Sequence, residues 1–187
     1  MRALHVMMIG LVWVTGLPTW SSEITEDTFR CLNDMTAVRH FYVDNLLGNV
    51  NDTVAVANSP DGGRYPEGSV VQLVPSEAMI KREAGFNPAT NDWEFFELDV
   101  GADGTRIAKR GFVEVVNKFG GNCFACHVQA ESQWDLICDN NHGCEPIPLT
   151  RSIIKTIQKT DPRCDATPLT DEDKANLKAL RQFMAAS

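Results

Sequence analysis

The chain has 187 residues, a formal net charge of −8, 43% hydrophobic residues and six cysteines. This length and apolar content suit a single domain with a real core. The acidic balance, with no run of Lys or Arg and no basic-aromatic stripe, argues against nucleic acid and anionic membrane surfaces as partners.

Arg2 precedes an apolar run from Ala3 to Leu17, followed by the small residues Thr19, Ser21 and Ser22, which is the layout of a cleavable secretory signal. The run is shorter than the roughly 20 residues that cross a bilayer, so no membrane anchor is expected. The expected organisation is a signal peptide over residues 1–22 and one domain over 23–187, exported to a periplasmic or comparable oxidising compartment where thiols pair.

Between residues 23 and 48 the apolar positions Phe29, Leu32, Met35, Val38, Tyr42 and Leu46 recur at spacings of three and four, with Thr25 placed as a cap; this predicts a helix. Residues 49–67, rich in Asn, Asp, Gly and Pro, predict mostly loop. Strand-like runs follow at 69–74, 78–82, 93–100 and 105–116, the last after the turn signal Ala102-Asp103-Gly104. The gaps are too short for parallel crossovers, so the sheet is expected to be antiparallel. Thr150 opens a helical pattern to residue 158, and Thr170 opens another, with Leu177, Leu180 and Met184 as its apolar positions and Asp173 at capping-box spacing. The order predicts an α+β fold: a mainly antiparallel β-sheet with an N-terminal helix and short C-terminal helices.

The chemistry lies in Cys123-Phe124-Ala125-Cys126-His127, the C-x-x-C-H signature of covalent haem attachment. Two thiols three positions apart reach the two vinyl groups on one porphyrin edge, and the adjacent imidazole then falls under the iron. One covalent haem c held by Cys123, Cys126 and His127, with His127 as the metal ligand, is the expectation. A zinc site would need two more ligands, and Cys138, His142 and Cys144 read more simply as a disulfide loop with a surface histidine. A thioredoxin-type motif would want a βαβ context.

The remaining four cysteines allow three pairings. Cys138 and Cys144 enclose a flexible five-residue loop and are expected to pair, leaving Cys31 for Cys164. Function then turns on the other face of the iron. Its protein candidates are Met35, Met79, Met184, His40 and His142, each with a bland reading as core, helix or loop residue. Met79 and Lys81 should share one sheet face by strand alternation. An open, five-coordinate iron is the leading expectation.

The stretch from Tyr65 to Leu73 (Tyr-Pro-Glu-Gly-Ser-Val-Val-Gln-Leu), the aromatic run from Asn91 to Leu98 and the late Cys-Phe-Ala-Cys-His at 123–127, in that order, resemble the cytochrome P-460 family, which includes the cytochromes c′-beta. The resemblance covers residues 60–140. It implies a mainly antiparallel sheet domain against the haem, His127 as proximal ligand, and often a homodimer. Members with the P-460 chromophore oxidise hydroxylamine and carry a lysine bond to the porphyrin, whereas c′-beta members lack it and bind small gases at an apolar distal face. Alignment on Gly68-Ser69-Val70 puts Leu73 at the cross-linking position; a slip in register would bring in Lys81 instead, and Lys109 on a later strand is a weaker substitute.

Three functions follow. The first is a gas-binding module whose distal side, lined by Leu73 and by some of Trp93, Phe95 and Phe96, admits nitric oxide or carbon monoxide. The second is a six-coordinate electron carrier that meets an electron-transfer protein. The third is an oxidoreductase acting on hydroxylamine or peroxide, with Glu94, Glu97 and Lys81 as acid/base candidates by strand position.

Overall fold

The computed structural model describes residues 23–118 and 120–186. The signal peptide expected at 1–22 lies outside the described residues. The centre is a six-stranded antiparallel sheet made of β1 (Thr36–Val38), β2 (Phe41–Asn45), β3 (Ser69–Gln72), β4 (Glu77–Lys81), β5 (Trp93–Gly101) and β6 (Gly104–Gly111). Spatial order equals chain order, so each strand pairs with its sequence neighbours. The antiparallel sheet and the α+β class are as the sequence predicts.

Strand alternation sorts the core into two layers. Val43 is opposite Val71, Val71 opposite Met79, and Met79 opposite Phe95, so these side chains share one face with Trp93, whose partner is Lys81. Val70, Ala78, Ile80, Phe96 and Leu98 form the other face and pack on Ile24 and Phe29. With both faces covered, β3 is buried at every position, which is why it reads as an unbroken apolar run instead of an alternation.

The N-terminal helix expected at 23–48 is replaced by two short 3₁₀ turns (Glu26–Thr28 and Leu32–Asp34) and the β1–β2 hairpin. The three-and-four spacing is real, but β2 buries Phe41, Val43 and Asn45 in strict alternation, and Arg39 turns the chain at a φ of 52°. Pairing with β3 overrides the helical pattern. The loop expected at 49–67 contains the helix α1 (Val50–Asn58). Its buried Thr53 hydroxyl lies 2.8 Å from the Ser69 hydroxyl and accepts from Asn45 Nδ2, so a polar trio docks α1 on the sheet.

The C-terminal part holds α2 (Cys123–His127), α3 (Arg151–Lys159) and α4 (Asp171–Ala186). Thr150 caps α3 by accepting from the Ile153 amide. Thr170 and Asp173 cap α4 reciprocally: the Thr170 amide donates to the Asp173 carboxylate at 2.8 Å, and the Asp173 amide donates to the Thr170 hydroxyl at 3.1 Å. Gln158 of α3 donates from Nε2 to the carbonyls of His40 and Leu73, both at 2.7 Å, fastening α3 to two sheet loops at once. Cys31 pairs with Cys164 and Cys138 with Cys144, as expected, although Cys31 caps a 3₁₀ turn and is not on a helix. Among the described residues no helix is long and apolar enough to cross a membrane.

Candidate functional site

The motif enters after β6 through a small polar lock. Asn122 caps α2 by accepting from the Ala125 amide at 2.8 Å, and its Nδ2 donates back to the Val113 carbonyl at 2.8 Å. Val116 and Asn122 form an isolated antiparallel bridge that closes the loop between them. The helical turn then gathers Cys123, Cys126 and His127, at offsets of three and four, on neighbouring positions of one surface.

Both motif cysteines are free thiols, Cys123 half-buried and Cys126 exposed, while the other four cysteines are paired. Burial, reinforced by the charges of Glu77 and Glu97 and by the Cys126 thiol, pushes the Cys123 thiol up to about 12, so it stays protonated. Burial also raises the Glu77 carboxyl, against the opposing bond from the Lys118 amide. Glu77 is a neighbour of the motif that the sequence did not single out.

His127 lies against the Phe95 ring with centroids 5.4 Å apart, and its Nδ1 stands 2.6 Å from the Leu136 carbonyl oxygen. Burial lowers its pKa, the bond to Leu136 opposing the shift. A carbonyl can only accept, so Nδ1 carries the proton and donates. The Nε2 lone pair of this neutral tautomer is left for a metal, an arrangement shared by most metal-bound histidines.

The residue that receives this bond belongs to an unusual turn. Asp135 and Leu136 both have left-handed backbones, with φ of 49° and 65°. Such a conformation costs on the order of 1–2 kcal/mol per non-glycine residue and persists only where neighbours over-determine it. Here Lys81 Nζ donates to both Asp135 carboxylate oxygens at 2.9 and 2.7 Å, the Tyr65 amide donates to Asp135 Oδ2 at 2.9 Å, and Trp93 Nε1 donates to the Asp135 carbonyl at 2.8 Å. The Lys81 ammonium also sits 4.9 Å from the Trp93 ring centroid. Close approach of the 59–65 loop requires Gly62, at φ 75°, where a Cβ would come within 2.2 Å of the Gln133 carbonyl oxygen.

The predicted site residues fall on both sides of the sheet. Leu73 is partly buried against the same apolar cluster as Cys123, Phe124 and Phe112, which also contains Trp93, Phe95 and Met79. Phe124 meets Phe95 and Phe112 at ring distances of 6.2 and 5.9 Å. Phe96 does not join them; it faces the opposite layer, 5.0 Å from Phe29. Glu94 is also on that opposite side, clamped by Arg82 and Arg110. Glu97 accepts from Lys118 at 3.2 Å, Lys109 is exposed on the edge strand β6, and Lys81, which does share a face with Met79, is committed to Asp135.

Of the sixth-ligand candidates, Met35 packs with the opposite layer and Met184 is exposed on α4. His40 Nε2 lies 3.4 Å from an Asp139 carboxylate oxygen, and His142 bonds the Ile137 carbonyl and stacks on Trp134 at 3.7 Å. Met79 alone of the five is buried in the cluster that Cys123 and Phe124 join. Cys138 and Cys144 being bridged, the zinc alternative loses two of its donors, and among the described residues no group of three His, Cys, Asp or Glu side chains could hold a metal ion.

The fold and site therefore define an α+β chain with an antiparallel sheet, two disulfides, and a free thiol pair beside a tautomer-fixed histidine. No family model matches the chain, and no curated protein or solved structure matches it.

Proposed function

We propose that the chain is an exported mono-haem c protein of the cytochrome P-460 type, in which Cys123 and Cys126 bind the haem through thioethers and His127 Nε2 ligates the iron. The observation that carries this reading is the His127–Leu136 bond of 2.6 Å, next to the two cysteines left unpaired in a chain that pairs its other four. The residues fit an apolar group: Phe112 and Phe124 are partly buried with Cys123 against one apolar cluster, while Val113, whose carbonyl accepts from Asn122, and Val128, which follows α2, are 69% and 51% exposed. Apolar side chains left in water beside attachment sulfurs are what a bound macrocycle would cover.

The haem would supply an iron able to bind diatomic gases or exchange an electron. Around it the chain holds His127 in one tautomer and orientation, and the Phe95, Phe112 and Phe124 rings limit water. The engagements of His40 and His142, and the placement of Met35 and Met184, support an open sixth position and thus binding of nitric oxide or carbon monoxide, with Leu73 part of the apolar lining. The second reading is a six-coordinate electron carrier, favoured by the burial of Met79 in the motif's own cluster. Hydroxylamine or peroxide oxidation has less support, since Glu94 and Lys81 are tied in ion pairs and Leu73 stands at the cross-linking position.

The test is the absorption spectrum of reduced protein, matured in a host that attaches haem c, before and after carbon monoxide. A marked Soret shift supports the open iron, and an unchanged low-spin spectrum turns the reading to electron transfer. Protein that emerges from such a host without covalent haem would sink the proposal.

A further inference from the structure

We infer that Lys81 and Asp135 are positioning residues for His127, fixing the tautomer and direction of its imidazole through the carbonyl of Leu136. The two form a buried ion pair 54 residues apart in sequence, with side chains 3% and 5% exposed. The bonds that hold them run between the two and to Tyr65 and Trp93, not to the motif cysteines or the histidine. What they hold is the turn: the Asp135 carboxylate is taken by Lys81 Nζ and the Tyr65 amide, its carbonyl by Trp93 Nε1, and the next residue, also left-handed, presents the oxygen that His127 Nδ1 meets at 2.6 Å.

A core that needed only stability would be served as well by apolar residues at these positions. A charged pair closing on the residue before the acceptor carbonyl serves direction, because the carboxylate and carbonyl of Asp135 are each held by donors from other parts of the fold, Lys81, Tyr65 and Trp93. Donation from Nδ1 makes the ring a stronger ligand through Nε2, so the ion pair reaches the iron through one backbone step. The inference rests on the haem reading only for its first readout.

The experiment compares two charge-neutral double variants of the holoprotein. Lys81→Met with Asp135→Ala removes the pair and its clamp on the turn. Asp161→Ala with Arg163→Met removes an equally buried pair, 0% and 4% exposed, whose other contacts are to Phe29, Leu32 and Thr105. Both should lower the melting temperature. Only the first should raise the midpoint reduction potential and lower the iron–histidine stretching frequency where that band is visible, since a loosened Nδ1 bond weakens electron donation to iron. An unchanged potential in the first variant, or an equal rise in both, overturns the inference.

If the purified wild type carries no haem, the haem reading fails and the same variants are read by ring nitrogen NMR of His127. The wild type should then show a single Nδ1–H tautomer and the Lys81→Met/Asp135→Ala variant a mixture. A single tautomer in both would overturn the inference independently.

Discussion

Cys31 and Cys164 are 133 residues apart in sequence and 4.9 Å apart at their Cα atoms, joining the first 3₁₀ turns to the segment between α3 and α4. A bridge closing so long a loop is worth about 4–5 kcal/mol in the chain-entropy account, less any native strain. Cys31→Ser with Cys164→Ser should lower stability by that order in denaturant titration. Cys138 and Cys144, six positions apart, should contribute about 2 kcal/mol by the same argument. Equal losses from the two pairs would count against the assignment of loop length as the cause.

Asn122→Ala removes the cap of α2 and the tie to the Val113 carbonyl together. The expected cost is about 1 kcal/mol for the cap, with a further contribution from the orphaned carbonyl. On the proposed haem reading, the fraction of chains carrying covalent haem, read by intact mass, should also fall below wild type, because α2 presents both sulfurs.

The two faces of the sheet should separate stability from spectroscopy. Ile80 is fully buried on the layer away from the motif, and Ile80→Val should cost about 1 kcal/mol while leaving the absorption spectrum unchanged. Phe95, 5.4 Å from the His127 ring, lies on the motif's side. Phe95→Leu should lower stability by about 1–2 kcal/mol and, on the proposed haem reading, also shift the Soret band. A spectral shift from Ile80→Val would contradict this division.

Asp173 titrates below an ordinary carboxyl because the Lys159 ammonium and the Thr170 amide and hydroxyl donate to it. A carboxylate whose folded-state pKa is depressed stabilises the fold above its unfolded value near 3.8, and that contribution disappears as pH falls through the folded value. Acid unfolding followed by circular dichroism should thus release the α3–α4 unit below about pH 4. Asp173→Asn should melt at a lower temperature at pH 7, and its difference from wild type should shrink as pH falls below about 4.

The central strands were legible because their aromatic and β-branched runs are bounded by Pro75, Gly85-Phe86-Asn87-Pro88 and Ala102-Asp103-Gly104, and the C-terminal helices because Thr150 and Thr170 mark their starts. Residues 36–45 misled because Met35, Val38 and Tyr42 satisfy a helical spacing while Phe41, Val43 and Asn45 satisfy a strand, and only the presence of β3 decides between them. In α1 the valines and flanking Asn and Asp are poor local helix signals, and docking through Thr53 supplies what propensity does not. At the site, the thiols and His127 announce themselves by spacing. The Lys81–Asp135 pair cannot, since its members are joined only by the fold, and an isolated lysine on a strand reads as solvated.

The meander in strict chain order has a consequence for assembly. Each hairpin can close as soon as its second strand is made, so the sheet is complete before residue 112 is followed by the rest of the chain. Cys31 precedes the other five cysteines in the chain, and Cys123 and Cys126 are made before its partner Cys164. Pairing of Cys31 with Cys164 is then a matter of timing, since two unpaired thiols precede Cys164 in the chain.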